Sequence, residues 1–320
     1  MAVIGLDLGG TKLSSAMFNN EGEILFKDKV ALGTREGNEV GDLIKKQIST
    51  ILDLKNRGRD EIKAIGVSVP GISYTKSGKV WAPNIRGWED YPLQEDILSI
   101  IDKNKIQVKI DSDRACYILG EVWKGTAQDC SNAIFLAVGT GIGAGILVDG
   151  NILRGSNDIA GAIGWLALDK PFYDKYISCG CFEYNASGEG IAKVAKEYIQ
   201  QDESYTGEFK NIDHDKITTE DVFEAFNNND ALATRVLNNS IEFWGMAVAN
   251  LVSLFNPEKI IFGGGVFGPG LQFLDQIMNE AKKWAQPISI TQVKLEGAKL
   301  GSDSGLYGAG YLALRSINNI

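Results

Sequence analysis

At two places in this chain an apolar strand runs into a glycine turn and returns as a second apolar strand, and only the first copy carries a carboxylate. The first copy reads Ile4-Gly5-Leu6-Asp7-Leu8-Gly9-Gly10-Thr11-Lys12-Leu13 and the second Phe135-Leu136-Ala137-Val138-Gly139-Thr140-Gly141-Ile142-Gly143-Ala144. With Gly9 set on Gly139, the turn Asn19-Asn20 coincides with Asp149-Gly150. A chain that repeats a hairpin in this way reads as one folding unit used twice. Glycine lets the backbone approach an anion closely, and the amides of such a turn can point at phosphate oxygens. Thr11 and Thr140 each add a hydroxyl. Asp7, replaced by Ala137 in the second copy, offers a single carboxylate suited to Mg2+ held largely through water.

Other phosphate motifs fit less well. Gly5 to Lys12 approaches a P-loop, but Thr and Lys stand in the wrong order and Leu13 to Phe18 continues as a strand. Gly139 to Ala144 matches a dinucleotide fingerprint in letters alone, yet a strand and the hairpin turn Asp149-Gly150 follow it. Gly263-Gly264-Gly265-Val266-Phe267-Gly268 does lie between a strand and a helix, which would imply a nicotinamide-dependent oxidoreductase. The motif lies near the end of the chain, and the acidic residue expected about 20 positions on is not at a strand end, since Glu296 lies well beyond.

A length of 320 residues, 44% of them hydrophobic, suggests about two domains. The net charge of -9 and the lack of basic clusters argue against a nucleic-acid partner. The start of the chain shows neither a charged n-region nor an apolar h-region, and no stretch is long enough to span a bilayer. Cys116, Cys130, Cys179 and Cys181 read as reduced thiols in the cytoplasm. Along the chain, three strands through Lys27 to Leu32 precede a helix over 39–54 and a strand over 62–69. A helix near 93–101 and a strand over 106–110 follow. The second half restarts at Ala133, carries an insertion over about 155–187, and continues in helices to Phe255. Next come the strand Lys259 to Phe262, a helix over 271–284, a strand over 288–295 and a final helix over 301–316. Three strands followed by alternating helix and strand, twice over, predict an α/β, two-lobed actin-like ATPase (ribonuclease H-like) fold with duplicated βββαβα domains and a central cleft. The expected N-terminal lobe is 1–116, with the helix of 301–320 packing back on it, and the C-terminal lobe is 117–300.

Taken together, Asp7-Leu8-Gly9-Gly10-Thr11-Lys12, Pro70-Gly71, Asn84-Ile85-Arg86-Gly87-Trp88, Asp113, Gly139-Thr140-Gly141-Ile142-Gly143, Gly180-Cys181-Phe182-Glu183 and Gly263-Gly264-Gly265 resemble the ROK family of sugar kinases and repressors over essentially the whole chain. The resemblance implies an ATP- and Mg2+-dependent transfer to a hydroxyl of a monosaccharide, the 6-hydroxyl of a hexose being the expected acceptor. It assigns Asp7 and Thr11, with Gly9, Gly10 and Lys12, to metal and phosphates. Gly139, Thr140 and Gly141 would cradle phosphate, and Gly264 and Gly265 would approach the adenosine. Asn84, Ser112, Asp113 and Glu183 match positions that contact sugar hydroxyls, Gly71 would let the backbone pass close to the bound sugar, and Asp113 matches the general base. It further implies a homodimer. For Asp113 the alternative is a cap on a helix beginning near Ala115. For Glu183 it is the N-terminal side of a helix entering 186–198, and for Gly71 a plain Pro-Gly turn.

The chain departs from the family at the sugar site. Where Glu-x-Gly-His is usual, this sequence has Ala162-Ile163-Gly164-Trp165. Two positions usually held by zinc-binding cysteines are Asp174 and Tyr176, and Cys179-Gly180-Cys181 alone has too few ligands for a closed site, so no zinc is expected. Trp165, Phe172, Tyr173, Tyr176 and Phe182 are the expected replacement packing. Trp165 either stacks on a sugar face or fills the core. A second reading is a sugar or nucleotide sensor that does not bind DNA, since Asp7 leaves no room ahead of it for a helix-turn-helix.

Overall fold

The computed structural model describes residues 1–55, 61–202 and 204–318. Chain order begins with the strands β1 (Ala2–Leu8), β2 (Lys12–Asn19) and β3 (Ile24–Ala31), the helix α1 (Asn38–Lys55) and the strand β4 (Ile62–Val69). A short hairpin, β5 (Ile72–Tyr74) and β6 (Lys79–Trp81), precedes α2 (Leu93–Leu98), β7 (Gln107–Ser112) and α3 (Asp113–Lys124). The pattern then restarts with β8 (Ala133–Val138), β9 (Ile142–Val148) and β10 (Asn151–Ile152). Four helices follow: α4 (Cys181–Ala186), α5 (Gly188–Gln201), α6 (Thr219–Asn227) and α7 (Ala231–Phe255). The chain ends with β11 (Lys259–Gly263), α8 (Leu274–Trp284), β12 (Lys294–Gly297) and α9 (Ser304–Asn318).

Contacts divide the chain into two compact units. One comprises Met1–Asp129, Ile152–Ala160 and the segment from Ala298 onward, and the other comprises Cys130–Asn151 and Gly161–Gly297. The first unit therefore takes in 117–129, 152–160 and 298–300, which the expected boundaries place in the second lobe. Its sheet has the order β3-β2-β1-β4-β7, and the sheet of the second unit has the order β10-β9-β8-β11-β12. In both, an antiparallel hairpin leads into three parallel strands, so the duplication read from two glycine turns extends to the whole sheet. Near-continuous apolar runs such as Ile62–Val69 suit the middle of such sheets, where both faces are covered. The edge strand β3 alternates half-buried and exposed residues, as a strand with one covered face should.

The two hairpins are not in perfect register. Leu8 pairs with Leu13 but Val138 with Ile142, leaving the four residues 9–12 between the last paired positions of the first hairpin and the three residues 139–141 between those of the second. Asn19 consequently stays in β2, and the turn matching Asp149-Gly150 is Asn20-Glu21 rather than Asn19-Asn20. The strand expected over 288–295 is also corrected. Gln286 Oε1 accepts from the amides of Ile288 (2.8 Å) and Ser289 (2.7 Å), which tightens that stretch into a 3-10 turn, and the strand begins only at Lys294. Likewise the helix expected from Leu271 opens as a 3-10 turn led by Pro269 and becomes α8 at Leu274.

Within the first unit, α9 lies on the sheet with backbone against backbone. A Cβ on Gly66 would stand 1.9 Å from the Ala309 carbonyl oxygen, and one on Gly308 would stand 1.7 Å from that of Cys116 in α3. Glu121 ties the ends of this layer together from a fully buried position. Its carboxylate accepts from the amides of Thr126 (2.7 Å), Leu300 (3.0 Å) and Lys299 (3.2 Å) and from the Ser304 hydroxyl (3.2 Å). Four donors compensate the desolvation of one buried charge, which would otherwise be costly.

Candidate functional site

Parallel register brings three polar side chains of the first unit into one row. Asp7 in β1 faces Ser68 in β4, and Ser68 faces Asp111 in β7. Ser68 Oγ donates to Asp7 Oδ1 at 2.6 Å. Burial raises the Asp7 carboxyl above its ordinary value, against the pull of that hydrogen bond and of the Lys12 charge, while Asp303 adds to the rise. On its other side α9 begins close by, since a Cβ on Gly305 would meet Asp7 Oδ1 at 2.5 Å.

The strand β7 runs straight into α3, and the junction decides what Asp113 does. Ser112 is the N-cap, accepting from the Ala115 amide at 3.3 Å, and Asp113 is the first residue of the helix. The capping alternative for Asp113 is thereby overturned: the cap is the preceding serine, whose extended backbone can turn its hydroxyl onto the helix end. Asp113 Oδ1 accepts from the Arg114 amide at 2.7 Å, and the Tyr117 hydroxyl lies 3.5 Å from Oδ2. Desolvation pushes the Asp113 carboxyl up to about 6, against the Arg114 charge and its amide and with the Asp7 charge adding to the rise. Asp113 thus feels the charge of Asp7 within the same unit. The thiol of Cys116 is pushed far above its usual range by burial and by the charges of Asp111, Asp7 and Asp113, so it is no nucleophile.

Among the other expected residues of this unit, Asn84 is exposed and lies beside the first glycine turn, with its Cβ 3.9 Å from a Cβ built on Gly10. Gly71 has a structural reason of its own: any Cβ there would stand 2.1 Å from the Trp81 carbonyl oxygen of β6. Sequence reading missed Ser68 and Asp111. Their signal was faint, one small polar residue within an apolar strand and one acidic residue just before the motif.

In the second unit, Gly139 and Thr140 open onto a cavity of about 990 Å3. The start of α5 supplies Gly188 and Glu189, α6 supplies Phe223 and Glu224, and Gly265 and Val266 close the wall. The Gly188 amide donates to the Gly139 carbonyl at 2.7 Å, which fixes the glycine turn to the α5 N-terminus. Gly264 and Gly265 differ sharply. Gly264 has φ +91 and a Cβ there would stand 2.3 Å from the Val138 carbonyl oxygen, whereas a Cβ on Gly265 would meet nothing within 4 Å. Backbone geometry dictates the first glycine, while the second leaves its neighbouring space open to a ligand.

Glu183 sits in the first turn of α4, while α5 is capped by Ser187, so the helix-entry alternative holds for α4 and not for the helix over 186–198. Its Oε2 accepts from the Ile142 amide at 2.6 Å, just beyond the Gly139–Gly141 turn. Burial raises its carboxyl, opposed by that amide. Trp165 is 59% exposed, which overturns the core-filling alternative. Phe172 and Tyr173, expected as packing, are 69% and 47% exposed, while Tyr176 and Phe182 are buried. Tyr176 occupies a position where a zinc-ligating cysteine would stand and packs edge-on against Phe172, Tyr173 and Tyr184. Among the described residues no three His, Cys, Asp or Glu side chains cluster closely enough to hold a metal ion by themselves.

Comparison with known proteins bears on the whole chain. The model of the ROK family matches residues 3–316. A glucokinase of Halalkalibacterium halodurans is 34% identical over 325 residues, covering 99% of this chain and 96% of that protein. A xylose repressor of Caldicellulosiruptor bescii is 30% identical over 310 residues, covering 93% of this chain and 74% of that protein. Among solved structures, a ROK family glucokinase from Streptomyces griseus in complex with glucose and AMPPNP is 27% identical, with TM-score 0.74, covering 98% of this chain and 99% of that one.

Proposed function

Because the chain belongs to the ROK family, we propose that it transfers the γ-phosphoryl group of ATP to the 6-hydroxyl of a hexose or hexose derivative, with Asp113 as general base. Relatives matched along nearly the full length make it an ATP-dependent carbohydrate kinase of the actin-like ATPase fold. The acceptor hydroxyl and the roles of individual residues are our reading. The observation that carries it is Asp113 at the junction of β7 and α3, a carboxylate lifted by desolvation and, to a lesser degree, by the charge of Asp7 in the same unit.

In phosphoryl transfer the protein mainly positions the partners and stabilises charge. A carboxylate near 6 is ionised at neutral pH yet basic enough to take the acceptor's proton as the O–P bond forms. Orienting both reactants supplies about 7 to 11 kcal/mol of barrier lowering. In this reading the nucleoside occupies the cavity of the second unit, beside Gly264 and Gly265. Gly139, Thr140 and Gly141 take phosphate there, and Gly9, Gly10, Thr11 and Lys12 do so in the first unit. The donor set of Asp7 fits Mg2+: Oδ1 is engaged by Ser68, while Oδ2 has no hydrogen-bond partner among the described residues. Asp7 would hold the ion through water, and the ion would neutralise phosphate charge. Asn84, Ser112, Glu183 and Trp165 would select the sugar, Trp165 by stacking its exposed indole on a C–H face.

The similarity to a xylose repressor, together with Ala162 and Trp165 in place of polar groups, favours a sugar or nucleotide sensor as the second reading. An ADP-release assay over hexoses, N-acetylated sugars, ketoses and polyols with Mg-ATP separates the two. A sugar-stimulated rate and a phosphosugar identified by mass support the kinase. ATP consumption that no sugar stimulates supports the sensor.

A further inference from the structure

Asp111 is a buried carboxylate that phosphoryl transfer does not require. Its side chain is 5% exposed, and Oδ1 accepts from the Ser112 amide at 2.9 Å. Oδ2 has no aligned hydrogen bond, and its compensation is the guanidinium of Arg154, whose Nη1 lies 2.6 Å away. Burial pushes the Asp111 carboxyl up, and Arg154 is the main influence holding it down. Arg154 belongs to the segment Ile152–Ala160, which is fastened a second time where Asp158 accepts from the Thr75 amide (3.0 Å) and hydroxyl (3.1 Å). The β5 hairpin carrying Thr75 is itself bound to β7, since Ser73 Oγ donates to the Ile110 carbonyl at 3.1 Å. Arg154, Asp158, Thr75 and Ser73 therefore brace the last residues of β7, the edge strand of its sheet.

We infer that Arg154 is a positioning residue for Asp113: by pairing with Asp111 it fixes the end of β7, the Ser112 cap and the first turn of α3. The inference rests on Asp113 being the base. Removing one partner of a buried ion pair strands the other charge, which is worse than removing both. A stranded Asp111 would take up a proton or turn toward water. Its own hold on the Ser112 amide would carry that movement into the residue next to Asp113. Displacements of about 1 Å in a catalytic group can cost on the order of 100-fold in rate.

The test measures kcat, the KM values for ATP and for the best hexose of the panel, and urea unfolding for Arg154→Met, Arg154→Lys, Asp111→Asn and the double variant. For Arg154→Met, kcat should fall about 10- to 100-fold while the ATP KM moves less than about twofold. Arg154→Lys should keep most of the turnover, and adding Asp111→Asn to Arg154→Met should recover a large part of the loss, because no charge is then stranded. A folded Arg154→Met with wild-type kcat overturns the inference, as does a double variant no better than Arg154→Met. Should Arg154→Met fail to fold, wild-type kcat in Asp111→Asn has the same meaning. Asp113→Asn tells the two failures apart. Undiminished turnover there sinks the base assignment and this inference together, whereas an inactive Asp113→Asn beside an unimpaired Arg154→Met sinks only the inference.

Discussion

Replacing Asp113 by asparagine should make the protein more stable and nearly inactive. The carboxyl is lifted from 3.8 to about 6 on folding, so the folded state binds its proton more tightly than the unfolded state does. Its contribution to stability is fully present below pH 3.8 and is lost as pH rises through about 6. Above that pH the buried charge costs up to about 3 kcal/mol, and asparagine removes the cost. Against this stands the favourable placement of a negative charge at the first residue of α3, worth about 0.3 to 1 kcal/mol, leaving a net gain of roughly 2 kcal/mol. Urea unfolding of the ligand-free protein at pH 8 and pH 4 measures it. The variant should exceed wild type by roughly 2 kcal/mol at pH 8 and match it at pH 4. Over the same series kcat should fall by about 100- to 10,000-fold, the usual range for removal of a general base. A variant less stable than wild type at pH 8, or equally ahead at both pH values, would falsify the claim that desolvation strains this carboxylate. Undiminished kcat would remove Asp113 from the chemistry.

For the wild type, kcat/KM for the sugar should rise through pH 6 as Asp113 ionises, and a rate independent of pH between 5 and 8 would contradict a base at this position. Gly265→Val should fold normally, since a Cβ there meets nothing within 4 Å, yet raise the ATP KM at least about tenfold by filling cavity space. Gly264→Ala should instead lose stability, from its φ of +91 and the Val138 carbonyl 2.3 Å away; equal melting temperatures for the two variants would count against this division of labour. Glu121→Ala should cost about 3 to 5 kcal/mol in urea unfolding, because four donors lose their acceptor, and a loss below about 1 kcal/mol would show that water replaces the carboxylate. Trp165→Ala should leave stability unchanged and raise the KM of the best sugar about 2- to 10-fold, whereas an unchanged KM would remove the indole from the sugar site.

Apolar runs and glycine turns were enough to locate most strands and helices, because each depends on residues close together in sequence, although β7 runs past the expected end at Ile110 to Ser112 and α3 starts at Asp113 rather than near Ala115. Ile62–Val69 and Lys259–Phe262 read as strands from their own letters, and the second extends one residue further to Gly263. Where a side chain reaches back to cap its own backbone, as Gln286 does at Ile288 and Ser289, an apolar run reads as a strand and folds as a turn.

The sequence by itself determined the duplication, the family and the identity of Asp7 and Asp113 as the carboxylates to watch, since these follow from spacing along one chain. Tertiary structure alone decided the environment of each. The exposure of Trp165, the inward turn of Glu183 onto the Ile142 amide, the row Asp7–Ser68–Asp111 and the ion pair from Arg154 to Asp111 all depend on which distant segments meet. A carboxylate's basicity and a side chain's burial are properties of neighbours brought together by strand register and packing, and no local pattern of residues encodes them.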